Sequence, residues 1–207
     1  MKTIKTYIKE ALRIKSGVKI IMSPNYKYHP KTKEELKELL KQLIEERGNK
    51  GNFNDIDVSK ITDLSFLFEK MPDFNGNISK WDVSNVTDMA CMFSDCKKFN
   101  QPLNDWDVSK VSNTRFMFYQ CKYFNQPLNN WNVSQVERMD YMFSGCTKFN
   151  QPLDNWNVSK VYRIECMFSK CKNFNQNISG WDLSNILSPG NMLAGCPIEE
   201  KNKPKFK

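Results

Sequence analysis

A fixed period constrains this chain more than any local propensity does. Tryptophan recurs at Trp81, Trp106, Trp131, Trp156 and Trp181, always 25 residues apart, and Ile56 extends the series one step upstream. The same offset carries Phe68, Phe93, Phe118, Phe143 and Phe168, closing on Leu193. It also carries Phe74 to Phe174, Ser59 to Ser184, and the asparagines Asn75, Asn100, Asn125, Asn150 and Asn175. A period of this length marks a stacked repeat protein, in which one short unit buries its apolar side chains only against its neighbours.

Before the repeats, residues 3–14 place Ile4, Tyr7, Ile8, Ala11 and Leu12 at the spacing of a one-sided helix, and Val18 to Met22 reads as a short strand. A second helix is better signalled. Thr32 with Glu35 three residues later forms a capping box, Leu36, Leu39, Leu40, Leu43 and Ile44 follow as one stripe, and Gly48 ends it. The division expected is an N-terminal helical cap over 1–51, a six-repeat array over 52–198 and a basic, frayed tail over 199–207.

Within a unit, Leu103, Trp106, Val108 and Val111 are the apolar positions, and the alternation of Trp106 and Val108 around Asp107 predicts a very short strand with one buried face. Thr114, Met117, Phe118 and Cys121 then fall at i, i+3, i+4 and i+7, which predicts a short helix. The fold class expected is therefore an α/β solenoid of six strand-plus-short-helix repeats behind an α-helical cap.

Units such as NWNVSQVERMDYMFSGCTKFNQPL resemble the repeat of the BspA-type leucine-rich-repeat family of bacterial proteins, abundant also in mycoplasma lipoproteins. The spacing Leu103-x-x-Trp106-x-Val108 is similar to the LxxLxL core of such repeats, and the resemblance covers about residues 55–198. It implies a right-handed curved coil with strands on the inner face. Val111 departs from it, standing where those repeats carry Asn or Cys.

Chemistry is sparse. The one histidine, His29, sits in a loop before Pro30 and reads as a surface side chain. No phosphate loop, nucleophile elbow or dinucleotide fingerprint occurs. Five of the seven cysteines obey the repeat, so they read as reduced, buried thiols, and neither a metal nor a cofactor is expected. No run approaches the roughly 18 apolar residues of a membrane span. Nor does the N-terminus show a signal peptide or lipobox, so a cytoplasmic location is expected.

These features exclude no binding role. The expectation is a non-catalytic protein-interaction module, monomeric or homodimeric. Its concave face would carry Asp57, Asp82, Asp107, Asn132, Asn157 and Asp182 beside Lys60, Lys110 and Lys160. The competing reading of the acidic row is that Asp, Asn and Ser close local turns. A convex or lateral site would use Arg115, Tyr119, Tyr123, Arg138, Tyr141, Tyr162 and Arg163, which break the repeat with residue types enriched in interfaces. Two alternatives accompany this. One is nucleic-acid association through residues 1–50, which hold a net charge of +7. The other is a phage- or mobile-element-encoded inhibitor of a host protein.

Overall fold

The computed structural model describes residues 26–186 and 188–205; the expected helix over 3–14 and strand over 18–22 lie outside them. The second helix forms as its sequence predicts. Helix α1, Lys33–Arg47, starts at Thr32, whose side chain accepts a bond from the Glu35 amide, and ends at Gly48 with φ of 72°. Glu35 reaches back to the Lys31 amide at 2.7 Å, one residue short of the usual capping-box partner.

The buried side chains of α1, Leu36, Leu40 and Leu43, join the core of the first repeat. Two polar clamps fix it there. Arg47 pairs with Asp55 at 2.8 Å, and Lys33 reaches Asp63 at 2.9 Å and the Ser65 hydroxyl at 2.7 Å.

Arg47 holds the Asp55 carboxyl below the ordinary carboxylate range. Burial pushes Asp63 up, yet the Ser65 hydroxyl and the Lys33 ammonium prevail and its pKa is also lowered. A depressed folded-state pKa means the contribution is complete above the unfolded value and fades as pH falls through the folded one. Amide exchange in α1 is therefore expected to accelerate below about pH 4 sooner than exchange in residues 103–170. Equal acceleration in both regions at acid pH would show that these clamps do not hold the cap.

From Phe53 onward the repeats stack, and the period sets the contacts. The rings of Phe93, Phe118 and Phe143 stack in register with centroids 5.5–5.6 Å apart. Trp131, Trp156 and Trp181 form a second column at 6.3–6.4 Å. Every tryptophan of the series is buried, and its indole N–H donates to a carbonyl of the preceding repeat, as Trp131 does to Leu103 at 2.8 Å. Cys121 likewise lies wholly buried with its thiol on the Phe93 carbonyl at 3.0 Å. Burial pushes the Cys96 thiol up to about 12, and all seven cysteines are free. Cys96 and Cys121, wholly buried, act as packing groups.

The α/β expectation fails. Among the described residues α1 is the one α-helix, a 3-10 turn spans Glu200–Asn202, and strands are replaced by isolated parallel bridges. Among the described residues no strand-plus-helix unit forms. The residues expected as a strand do bury Trp106 and Val108 and expose Asp107, but through turns: Trp106 bonds back to Leu103, and Val111 to Val108. Four of the six bridges join Asp63, Asp88, Asn113, Arg138 and Arg163, farther along each unit, and the other two, Tyr28 with Ile56 and Asn52 with Asn77, lie where the cap meets the first repeats.

Thr114, Met117, Phe118 and Cys121 are all buried as a helical stripe would be, yet no helix forms. The amides of Thr114, Phe116, Phe118 and Gln120 leave their own turn and donate to carbonyls of the next repeat at 2.8–3.0 Å. Alternate amides close turns onto carbonyls three residues back, as Met117 does to Thr114 and Tyr119 to Phe116. This satisfies the backbone without helix or sheet. It requires left-handed residues, and Phe66, Cys91, Phe116, Tyr141, Cys166 and Asn191 all adopt φ of 54–60°. Each non-glycine costs about 1–2 kcal/mol there, offset by packing between repeats.

The return loops are closed by a ladder of asparagines. Asn75, Asn100, Asn125 and Asn150 each accept, on Oδ1, the amide of the next asparagine at 2.9–3.0 Å and the side-chain N–H of the neighbouring glutamine at 2.9–3.2 Å. At the last rung Asn175 accepts from Glu199 and Asn202 instead. The start of the tail is thus seated on the stack rather than frayed.

Candidate functional site

Positions that vary between otherwise similar units converge on one patch in the third and fourth repeats. The column of left-handed residues reads Phe66, Cys91, Phe116, Tyr141, Cys166 and Asn191. Phe116 and Tyr141 stack there with centroids 4.5 Å apart and planes 5° from parallel. Tyr119 stands edge-on to both, at 5.4 and 6.5 Å, and the Arg115 guanidinium lies 5.4 Å over Phe116. All four side chains are half-buried, packed yet open on one side.

Charge borders the rings. Arg138 makes two bonds at 3.3 Å to the buried carboxylate of Asp140, a forked geometry that fixes the guanidinium plane. Arg163 is bridged to Arg138 one rung farther on, and Tyr162, 43% exposed, immediately precedes it. Arg115 Nε is buried without a partner among the described residues, an imperfection that the cation–π contact partly offsets.

Open concavities lie elsewhere, and two of them bear on the argument. One, about 390 Å³, runs between α1 and the first repeat, lined by Leu40, Ile44, Leu67, Phe68 and Met71 with Lys37, Glu38, Lys41 and Glu45 at its rim. The other, about 440 Å³, is bounded by Lys50, Asn75, Lys98, Asn100 and Tyr123. Neither gathers an acid, a base and a nucleophile. His29 is exposed and 3.3 Å from Asp57. No group of three or more His, Cys, Asp or Glu among the described residues could hold a metal ion, and no helix there is long and apolar enough to cross a membrane.

A family model described as "Mycoplasma protein of unknown function, DUF285" matches residues 35–140 and again 121–206, from within α1 through the stack. The chain belongs to this family. No curated protein and no solved structure matches it.

In this DUF285 stack the aspartate row is engaged in turns. Asp57, Asp82, Asp107, Asn132, Asn157 and Asp182 each accept, on Oδ1, the amide of the serine two residues on at 3.0–3.2 Å. The Ser109 hydroxyl and then its amide hold the Asp107 carboxyl below its ordinary range. Lys110 and Lys160 are engaged too, on Asn85 and Gln135 at 2.7 Å, while Lys60 is exposed. Of the lateral candidates, Arg115, Tyr119, Arg138 and Tyr141 come together, Tyr162 and Arg163 adjoin them, and Tyr123 lies apart at the second concavity. Sequence reasoning missed Phe116, because an apolar residue beside a core stripe reads as core. The signal was present: its column changes identity at nearly every repeat, whereas the neighbouring Phe118 column does not until Leu193.

Proposed function

We propose that the chain is a non-catalytic module that binds a protein partner on the Arg115, Phe116, Tyr119, Arg138 and Tyr141 patch. One observation carries this reading: in a stack of near-identical units, the positions free to vary assemble half-exposed aromatics and arginines into one place. Aromatic residues and Arg are enriched in interface cores and binding hot spots. The likeness of residues 55–198 to BspA-type repeats fits a recognition role, with DUF285 read as a relative of that group.

The test is site-specific photo-cross-linking in cells of the source organism, with the reactive side chain at position 141 or at position 107. A discrete protein adduct is expected from position 141 and none from 107. With that partner purified, Phe116→Ala combined with Tyr141→Ala should weaken binding at least tenfold, whereas alanine at Asp82, Asp107 and Asn132 together should leave it unchanged. The reverse pattern would move the site to the aspartate row.

A further inference from the structure

The return-loop edge of the stack has a separate chemistry. Residues 97–103, 122–128, 147–153 and 172–178 lie on successive rungs and contain Lys97, Lys98, Lys122, Lys148 and Lys172 without one Asp or Glu. All five lysines are exposed. Lys98 pairs with Asp73 at 2.7 Å, from the rung before. The ammoniums of the other four have no ion pair or hydrogen bond among the described residues, in contrast to Lys110 and Lys160 on the aspartate side.

The asparagine ladder runs along the same edge and adds to its polarity. Each Oδ1 is consumed within the stack, so Asn75, Asn100, Asn125 and Asn150 have only their Nδ2 donors left. Phe99, Phe124, Phe149 and Phe174, immediately before the ladder asparagines, repeat at 5.9–6.0 Å. Asn100, Asn125 and Asn150 therefore share their rungs with exposed lysines, on a stack whose buried phenylalanines repeat about every 6 Å. Tyr123, 56% exposed, stands on this line beside the open pocket bounded by Lys50, Asn75, Lys98 and Asn100.

We propose that this edge binds the backbone of a single-stranded nucleic acid, independently of the protein-binding patch and of the cap lysines Lys31, Lys37 and Lys41. A line of cations and neutral donors at a spacing close to that of successive phosphates matches a backbone carrying one charge per step. An exposed tyrosine supplies a face on which a base stacks without sequence preference. The lysines hold phosphates as point charges, and the Nδ2 groups donate hydrogen bonds to phosphate oxygens.

Fluorescence anisotropy of the full chain with a short labelled oligothymidylate tests this. Binding is expected at about 50 mM salt, weakening with a log–log slope of about −3 if four to five phosphates are neutralised. Lys97→Glu, Lys122→Glu and Lys148→Glu together should reduce affinity at least tenfold and flatten the slope by about two units, with an unchanged melting temperature. Lys31→Glu, Lys37→Glu and Lys41→Glu, the same charge change placed at the cap, should cost less than threefold. Tyr123→Ala should lose about tenfold on oligothymidylate and much less on an abasic strand. No binding at low salt, or equal losses from the two triple variants, would overturn the proposal. Capture of heparin or polyglutamate in place of the oligonucleotide would overturn it too, reassigning the edge to an acidic polysaccharide or peptide.

Discussion

Phe118→Ala is expected to lower the unfolding free energy by about 3–5 kcal/mol, enough to drop the melting temperature by roughly 10 °C in a chain of this size. Phe118 is wholly buried and touches rings on every side: Phe93 and Phe143 above and below, Phe124 at 4.2 Å and Trp131 at 6.3 Å. Truncation removes the transfer energy of the ring and leaves a cavity that a stacked column closes poorly. In a one-dimensional array it also weakens the interfaces with both neighbours, so unfolding should spread from the third repeat. Phe118→Leu, which keeps more of the volume, should lose distinctly less. Calorimetry giving Phe118→Ala a melting temperature within about 2 °C of the parent would mean that the columns do not hold the stack.

Asn125→Ala is expected to cost about 2–3 kcal/mol although it removes almost no apolar area, because two donors lose their acceptor. The Asn150 amide and the Gln151 side chain bond to Asn125 Oδ1 at 2.9 and 3.1 Å, both in part-buried surroundings. No helix or sheet partner can take the Asn150 amide instead. Asn125→Asp keeps the acceptor and should remain within about 1 kcal/mol of the parent, since an ionised oxygen accepts at least as strongly. Urea titration separates the two. If Asp and Ala destabilise alike, the ladder oxygen is not what closes the loop, and the donor-only character assigned to the outer edge falls with it.

Much of the burial pattern was legible before any coordinates. The 25-residue register placed Trp106 against Trp131 in sequence, and the Thr114, Met117, Phe118 and Cys121 stripe identified which side chains go inside. Thr32 and Glu35 located the start of α1 to within a residue. The backbone that carries the stripe was not legible. A spacing of three and four is produced equally by a helix and by overlapping turns with a left-handed residue between them. Nothing local in Phe116 or Tyr141 announces a positive φ, because only contacts with the next repeat offset its cost. The candidate patch was half legible: Arg115, Tyr119, Arg138 and Tyr141 stood out as repeat-breakers, whereas Phe116 was concealed by its apolarity. The aspartate row shows the converse, since residues that looked free on an inner face are held by serine amides two positions on.

What the sequence by itself determined is which side chains are inside and in what register, since a strict period of aromatics has one way to exclude water: each unit covering the next. What only the tertiary structure decided is the path of the backbone between those side chains. Its amides find acceptors in the neighbouring repeat, where local propensity has no say and where hydrogen bonds across the stack outweigh the cost of a left-handed phenylalanine.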